Sequence, residues 1–201
     1  SGFLGSYVAD ELSLRGLRVT IADLVPPTEQ KFNQKYKKID ICDAALISSV
    51  TSEADYIFNF ISLANLDEAI KNPKQSAELN IMGNIYILEA LKSQKIKKFV
   101  FASSAYATNN EGSFYGITKR STEQITREYG KRYSINYTII RYGSVYGEKP
   151  SKNNYLYNLI KNATVTGAIK YKGLDSDVRE YIHAADAARL SVDMLDQKEY
   201  D

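Results

Sequence analysis

The sequence predicts an α/β domain, a doubly wound parallel sheet with helices on both faces. Short β-branched and aromatic apolar runs stand at Arg18–Ala22, Asp55–Ile61, Lys98–Ala102 and Asn136–Arg141. Segments with helical spacing separate them, and such alternation reads as βαβ units. The runs are apolar on both faces, as strands of a sheet covered on both sides must be.

In chain order, Gly5–Arg15 reads as the first helix, with Val8 and Leu12 on one stripe. Asn80–Ser93 places Ile81, Ile85, Leu88 and Leu91 on one stripe and predicts a second helix. Tyr115–Tyr133 predicts a long helix with a charged outer face. The basic residues Lys95, Lys97 and Lys98 read as a solvated approach to the third strand. Gly147–Asn154 is polar, with Gly and Pro, and reads as a domain edge. Beyond it Tyr155–Ala163 reads as helix, Ile169–Tyr171 as extended and Ala184–Leu195 as helix. The division is therefore 1–146, a nucleotide-binding domain, and 147–201, the start of a second region.

Bulk composition removes several classes of function. The chain of 201 residues carries 26 basic and 24 acidic side chains, a balance that gives no pull toward nucleic acid or a membrane surface. Cys42 is the single cysteine, which excludes an internal disulfide and, with no Cys/His cluster, argues against a zinc site or any other metal. This usage fits a reducing, cytoplasmic setting. His183 is the one histidine, so a mechanism built on two histidines is excluded. No apolar run approaches the ~18 residues that span a bilayer.

Two constellations carry chemistry. Ser1-Gly2-Phe3-Leu4-Gly5 opens the first helix, and glycines there let backbone approach a pyrophosphate at the helix N-terminus. Asp23 closes the next strand, 18 residues past Gly5, about where a Rossmann-type acid meets the adenosine ribose diol. A carboxylate there repels a 2′-phosphate and favours NAD over NADP. The other reading of Asp23 is a surface turn residue. The strand before this turn and its first glycine would stand ahead of Ser1, so the expectation is a protein longer at this end. A parallel sheet lacking that strand would expose two unpaired edges.

The second constellation is Tyr115 and Lys119, four apart on one helix face. A phenol titrates near ~10, too high for a base at neutral pH. A neighbouring ammonium favours the phenolate, so Tyr115 can take a hydroxyl proton. A similar pair, Tyr157 and Lys161, reads as surface coincidence. Ser104 ends an apolar strand 11 residues before Tyr115, where ligands of such sheets bind. By itself Ser104 is equally an N-cap or loop serine.

The ordered set GFLG, Asp23, Asp40-Ile41, NIMGNIYILEA, FASSA, YGITK, RYGSVYG and REYIHAADAA resembles the extended short-chain dehydrogenases, the NAD-dependent epimerase/dehydratase family, from Gly2 to about Leu195. The resemblance implies that Gly2, Phe3, Leu4 and Gly5 contact the pyrophosphate, and that Asp40 and Ile41 flank the adenine. It implies that Phe60, Ile61 and Ser62 line the cofactor, supported by Asn80, with Tyr142 near the nicotinamide. Tyr115 becomes the catalytic base, Lys119 its ribose-binding partner and Ser104 the third catalytic residue. Ser144 and Arg179 become substrate contacts, Arg179 toward a diphosphate, and His183 and Asp186 structural. A surface ion pair with Asp177 or Glu180 is the other reading of Arg179. The resemblance further implies substrate-binding residues beyond Asp201 and pairing of two copies through a four-helix contact that includes the Tyr115 helix.

The chain departs from the family pattern in several places. Ile61 is bulkier than the residue common there and narrows the pocket. Ser144 replaces a frequent Asn. The loop between Ser104 and Tyr115 is short. Ser104-Ala105-Tyr106 stands where sugar dehydratases carry Thr-Asp-Glu, which disfavours elimination of water. The expected activity is NAD-dependent epimerisation of a nucleotide-linked sugar. A net reductase or dehydrogenase using the same three residues, and a non-catalytic dinucleotide-binding protein, are the alternatives.

Overall fold

The computed structural model describes residues 1–108, 111–148, 154–169, 171 and 178–196. The chain opens with α1 (Phe3–Leu14), β1 (Val19–Asp23), β2 (Gln34–Lys38), α2 (Ala44–Thr51) and β3 (Tyr56–Asn59). Two short helices follow, α3 (Leu66–Lys71) and α4 (Pro73–Ala77). A π-helical turn at Glu78–Met82 then leads into α5 (Gly83–Leu91). Next come β4 (Lys98–Ser104), a 3-10 turn at Ala105–Ala107, α6 (Ser113–Tyr133), β5 (Tyr137–Tyr142) and β6 (Ser144–Tyr146). The last elements are α7 (Tyr155–Thr166), β7 (Tyr181–His183) and α8 (Ala184–Asp193).

Every strand pairing is parallel, as predicted. β1 pairs with β2, β3–β4–β5 form a three-stranded ladder, and β6 pairs with β7. Among the described residues no strand pairs with the inner edges of β1 and β3, so the two main ladders are separate. Residues of both edges, Thr20 and Ala22 on one side and Ile57 and Asn59 on the other, line a cleft of about 1680 Å³. This is the pair of edges the sequence led us to expect.

Burial follows from position in the ladder. β4 has a strand on each side and is buried at all seven positions. Phe99 and Phe101 sit in the larger core with Ile41, Ile47, Leu88 and Leu91, beneath α2, α5 and α6. Phe58 and Phe60 pack instead against a second cluster of Val8, Ala188 and Val192, carried by α1 and α8. Alternate residues of a strand point to opposite faces, so helices cover both faces of the sheet. Among the described residues no helix is long and apolar enough to cross a membrane.

Several elements were not apparent in the sequence. β2 reads Gln-Lys-Tyr-Lys-Lys and has no apolar alternation, because it is an edge strand whose lysines discourage further pairing. α2 depends on a polar signal, the Asp43 carboxylate, which accepts from Ala45 N–H at 3.0 Å and Leu46 N–H at 3.1 Å. The predicted Asn80–Ser93 helix is divided, since Asn80 lies in the π-helical turn and the α-helix begins at Gly83. A Cβ on Gly83 would stand 2.6 Å from Ile41 Cγ1, so glycine permits this close approach. Lys98 corrects the solvated reading of the basic run. It is buried as the first residue of β4, and its Nζ donates to the Met194 carbonyl at 2.6 Å. Lys97 does remain at the surface, paired with Asp55 at 3.1 Å. Residues 149–153 of the polar segment lie outside the described residues. So does residue 170, and Ile169 and Tyr171 fall in no strand.

Gly116 sets a backbone constraint on the start of the long helix. A Cβ there would stand 2.3 Å from the Glu111 carbonyl oxygen and 3.0 Å from that of Tyr106. Backbone cannot yield as a side-chain tip can. Gly116→Ala is expected to destabilise the fold by about 1–3 kcal/mol, the usual cost of overpacking. Urea denaturation measures it, and an unchanged midpoint would contradict the packing described.

Candidate active site

The N-terminus of α1 opens on the cleft. Gly2 is its N-cap in extended conformation, with no side-chain cap, and no acidic residue stands in the first turn. The N–H groups that begin a helix have no partner within it. A Cβ built on Gly2 meets nothing within 4 Å, so the approach is open. Gly5 serves packing instead, with Phe60 Cβ 3.6 Å from where its Cβ would be. Asp23, at the end of β1, lines the same cleft as Gly2 and Gly5, and its Oδ1 accepts from Val25 N–H at 3.1 Å.

Around the same cleft, Ile41 is buried, while the exposed Asp40 turns its carboxylate back to Cys42 N–H at 2.9 Å. Phe60, Ile61 and Ser62 follow β3 and line the opening. Asn80 holds this segment. Its Oδ1 accepts from Leu63 N–H at 2.7 Å and Ser62 Oγ at 3.0 Å, and its Nδ2 donates to Thr118 Oγ1 at 2.9 Å. Thr118 lies on α6, so one buried amide ties the segment after β3 to the helix of Tyr115 and Lys119.

Ser104, Tyr115 and Lys119 all line the cleft. Ser104 accepts from Tyr106 N–H at 3.3 Å as N-cap of the 3-10 turn, and it lines the cleft together with Tyr115. Burial pushes the Tyr115 phenol above its ordinary value, the nearby Ser104 hydroxyl opposes that rise, and Tyr106 adds to it. Tyr106 meets Tyr115 edge-on, ring centroids 6.4 Å apart. Lys119 is fully buried. Its Nζ donates to the Ala102 carbonyl at 2.7 Å and lies 4.9 Å from the Phe101 ring centroid and 5.7 Å from that of Tyr115. Desolvation of the ammonium pushes its pKa down to about 7. The arrangement can hold a phenol, a serine hydroxyl and an amine near its titration point around one reacting hydroxyl.

Tyr142 packs against Phe60 at 6.0 Å and shares a 2.6 Å hydrogen bond with Ser191. Burial pushes its phenol to about 12, so it stays protonated. Ser144 and Arg179 are not brought into the cleft. Ser144 lies in β6 and its neighbours Gly143 and Val145 line the cleft instead. Arg179 is exposed and forms no ion pair with Glu180, while Asp177 lies outside the described residues. His183 caps α8 through Nδ1, which accepts from Ala185 N–H at 3.2 Å, and Asp186 sits in the first turn of that helix. The Tyr157–Lys161 pair is on α7, which buries no residue, as a surface coincidence requires.

Sequence reasoning missed Glu123, buried one helical turn beyond Lys119. Its Oε1 accepts from Ser103 Oγ at 2.6 Å and Arg141 Nε at 2.8 Å. The available signal was an acid four residues past Lys119 on the inward face of α6.

The model of the NAD dependent epimerase/dehydratase family matches residues 1–201. The chain is 25% identical to UDP-glucose 4-epimerase of Lactobacillus helveticus, over 98% of this chain and 68% of that protein. It is 24% identical to dTDP-glucose 4,6-dehydratase of Mycobacterium tuberculosis, over 89% of this chain and 57% of the relative, so it spans little more than half of that enzyme. In fold it is similar to Thermotoga maritima UDP-glucose 4-epimerase, with TM-score 0.86 and 24% identity over 97% of this chain and 71% of the other. The Thermus thermophilus UDP-glucose 4-epimerase solved with NAD gives TM-score 0.83 and 24% identity over 98% and 73%.

Proposed function

The chain belongs to the NAD dependent epimerase/dehydratase family, and from that premise we propose that it carries the catalytic core of an NAD-dependent epimerase acting on a nucleotide-diphosphate sugar through a transient keto intermediate. One observation carries the reading. Ser104 and Tyr115, with Lys119 against the Tyr115 ring, share one cleft with the open glycine turn and Asp23.

The residues present fit NAD. The uncapped N–H groups from Gly2 onward would receive a pyrophosphate, and the Asp23 carboxylate would accept from a ribose diol. The apolar Ile41 offers a wall for the adenine, Asp40 borders it, and Phe60, Ile61 and Ser62 line the path toward Tyr115. NAD, when bound, accepts and returns the hydride. Tyr115 takes the sugar hydroxyl proton, Ser104 holds that oxygen, and Lys119 favours the phenolate while bonding the nicotinamide ribose. Once the keto sugar has turned over in the cleft, the hydride would return to the opposite face of the same carbon and Tyr115 would give the proton back to that carbon's oxygen. Residues 1–146 carry the cofactor on this reading, and 147–201 begin the substrate region. Ala105 and Tyr106 offer no carboxyl group beside Tyr115, which supports epimerisation over loss of water.

The test is to purify the protein, denature it and identify the released nucleotide by mass spectrometry, then offer UDP- and dTDP-sugars and separate the epimers. The expected result is roughly one equivalent of NAD retained and one sugar pair interconverted without added cofactor. A protein that binds added NAD weakly and gives net oxidation or reduction would support the dehydrogenase alternative. Failure to bind NAD at all would leave neither enzyme reading standing.

A further inference from the structure

Glu123 is 1% exposed, and a carboxylate so buried needs full hydrogen bonding to remain charged. It has it. Besides the Ser103 and Arg141 Nε bonds to Oε1, its Oε2 accepts from Arg141 Nη2 at 2.6 Å and Arg127 Nη2 at 3.2 Å. These bonds hold its carboxyl below the ordinary range against the opposing effect of burial. The placement is what distinguishes this cluster. Ser103 and Arg141 face each other in the β4–β5 ladder, one position before Ser104 and Tyr142. On α6, Glu123 lies one turn past Lys119 and two past Tyr115. A single carboxylate therefore clamps α6, β4 and β5 together immediately beneath Ser104, Tyr115 and Lys119.

We propose that Glu123, acting through Ser103 and Arg141, is a positioning residue that sets the separation of Ser104 and Tyr115. This rests on the active-site reading above. Ser104 has no choice of height once Ser103 is tied to α6, because the strand fixes the next residue. A buried ion pair serving only the fold would affect stability and leave the chemistry untouched. A positioning role separates the two, since small misplacement of reacting groups costs rate out of proportion to binding.

Ser103→Ala tests it in the full-length protein, because it removes the 2.6 Å bond while leaving the Arg141–Glu123 pair in place. We expect kcat to fall about tenfold, with KM for the nucleotide sugar and the calorimetric Kd for NAD within about twofold of wild type. Ser103→Thr keeps the hydroxyl and should restore kcat. Glu123→Gln should lose more than Ser103→Ala. The proposal is overturned if kcat of Ser103→Ala stays within about twofold, or if any loss runs in step with weakened NAD binding and a lower melting midpoint. A wild-type protein that neither binds NAD nor converts a nucleotide sugar would instead remove the active-site reading itself, whatever the variants do.

Discussion

Tyr115→Phe is expected to lower kcat by about 10²–10⁴-fold, the range for losing a positioned acid–base group, while NAD binds as tightly as before. The substitution keeps the ring, so the edge-on contact with Tyr106 at 6.4 Å and the stacking of Lys119 at 5.7 Å remain. What leaves is one hydroxyl on the cleft wall near Ser104. Ser104 keeps the Tyr106 N–H as a partner, so stability should change by no more than about 1 kcal/mol. The measurement is kcat at saturating nucleotide sugar beside a calorimetric NAD titration. Retention of more than a tenth of the wild-type turnover would remove Tyr115 from the role of base. A fall in NAD affinity of the same size as the fall in rate would mean that the hydroxyl serves binding and not proton transfer.

How much of this was legible depended on how local each signal is. The Ser104, Tyr115 and Lys119 trio was readable because one strand end and one helix turn present it, and each follows a strong periodic pattern. The glycine turn and Asp23 were readable for the same reason, as a helix start and the next strand end. The four apolar strands were found within a residue or two, since β-branched and aromatic residues mark each of them, although only β4 is buried throughout. β2 was not, because its environment at the sheet edge selects lysine. The π-helical turn was hidden inside an unbroken apolar stripe and exists because Asn80 finds partners on three segments. Arg179 is exposed and is not among the residues that line the cleft, so its reading as a substrate contact rests on sequence order alone. Glu123 could be seen as inward-facing, yet its meaning depends on the register that sets Ser103 opposite Arg141, and register is not written in either strand alone. The Tyr142–Ser191 bond joins residues 49 apart and was beyond reach for that reason.

The Lys119 ammonium costs stability that its chemistry requires, and Lys119→Met should recover part of it. Its pKa of about 7 in the fold lies well below the 10.5 of a solvated lysine. Burial is the cause, and among the described residues no carboxylate stands within ion-pair distance. Below pH 7 the lysine is protonated both folded and unfolded, and the full desolvation cost applies. Between about 7 and 10.5 the unfolded chain binds a proton that the folded one does not. Stability of the wild type therefore rises with pH across that window and levels off above it, with a slope of up to about 1.4 kcal/mol per unit. Methionine removes the charge but leaves the Ala102 carbonyl without its 2.7 Å donor, a loss of about 1–3 kcal/mol. The desolvation cost is on the order of 3–5 kcal/mol by linkage, so the variant should be more stable by roughly 2 kcal/mol near pH 7. Its advantage should shrink and then reverse as pH rises toward 10, while turnover is lost at every pH. Urea denaturation of NAD-free wild type and variant at pH 7 and pH 9.5 reads both numbers. A variant less stable at pH 7, or an advantage that does not change with pH, would mean that Lys119 is solvated or paired in a way this burial excludes.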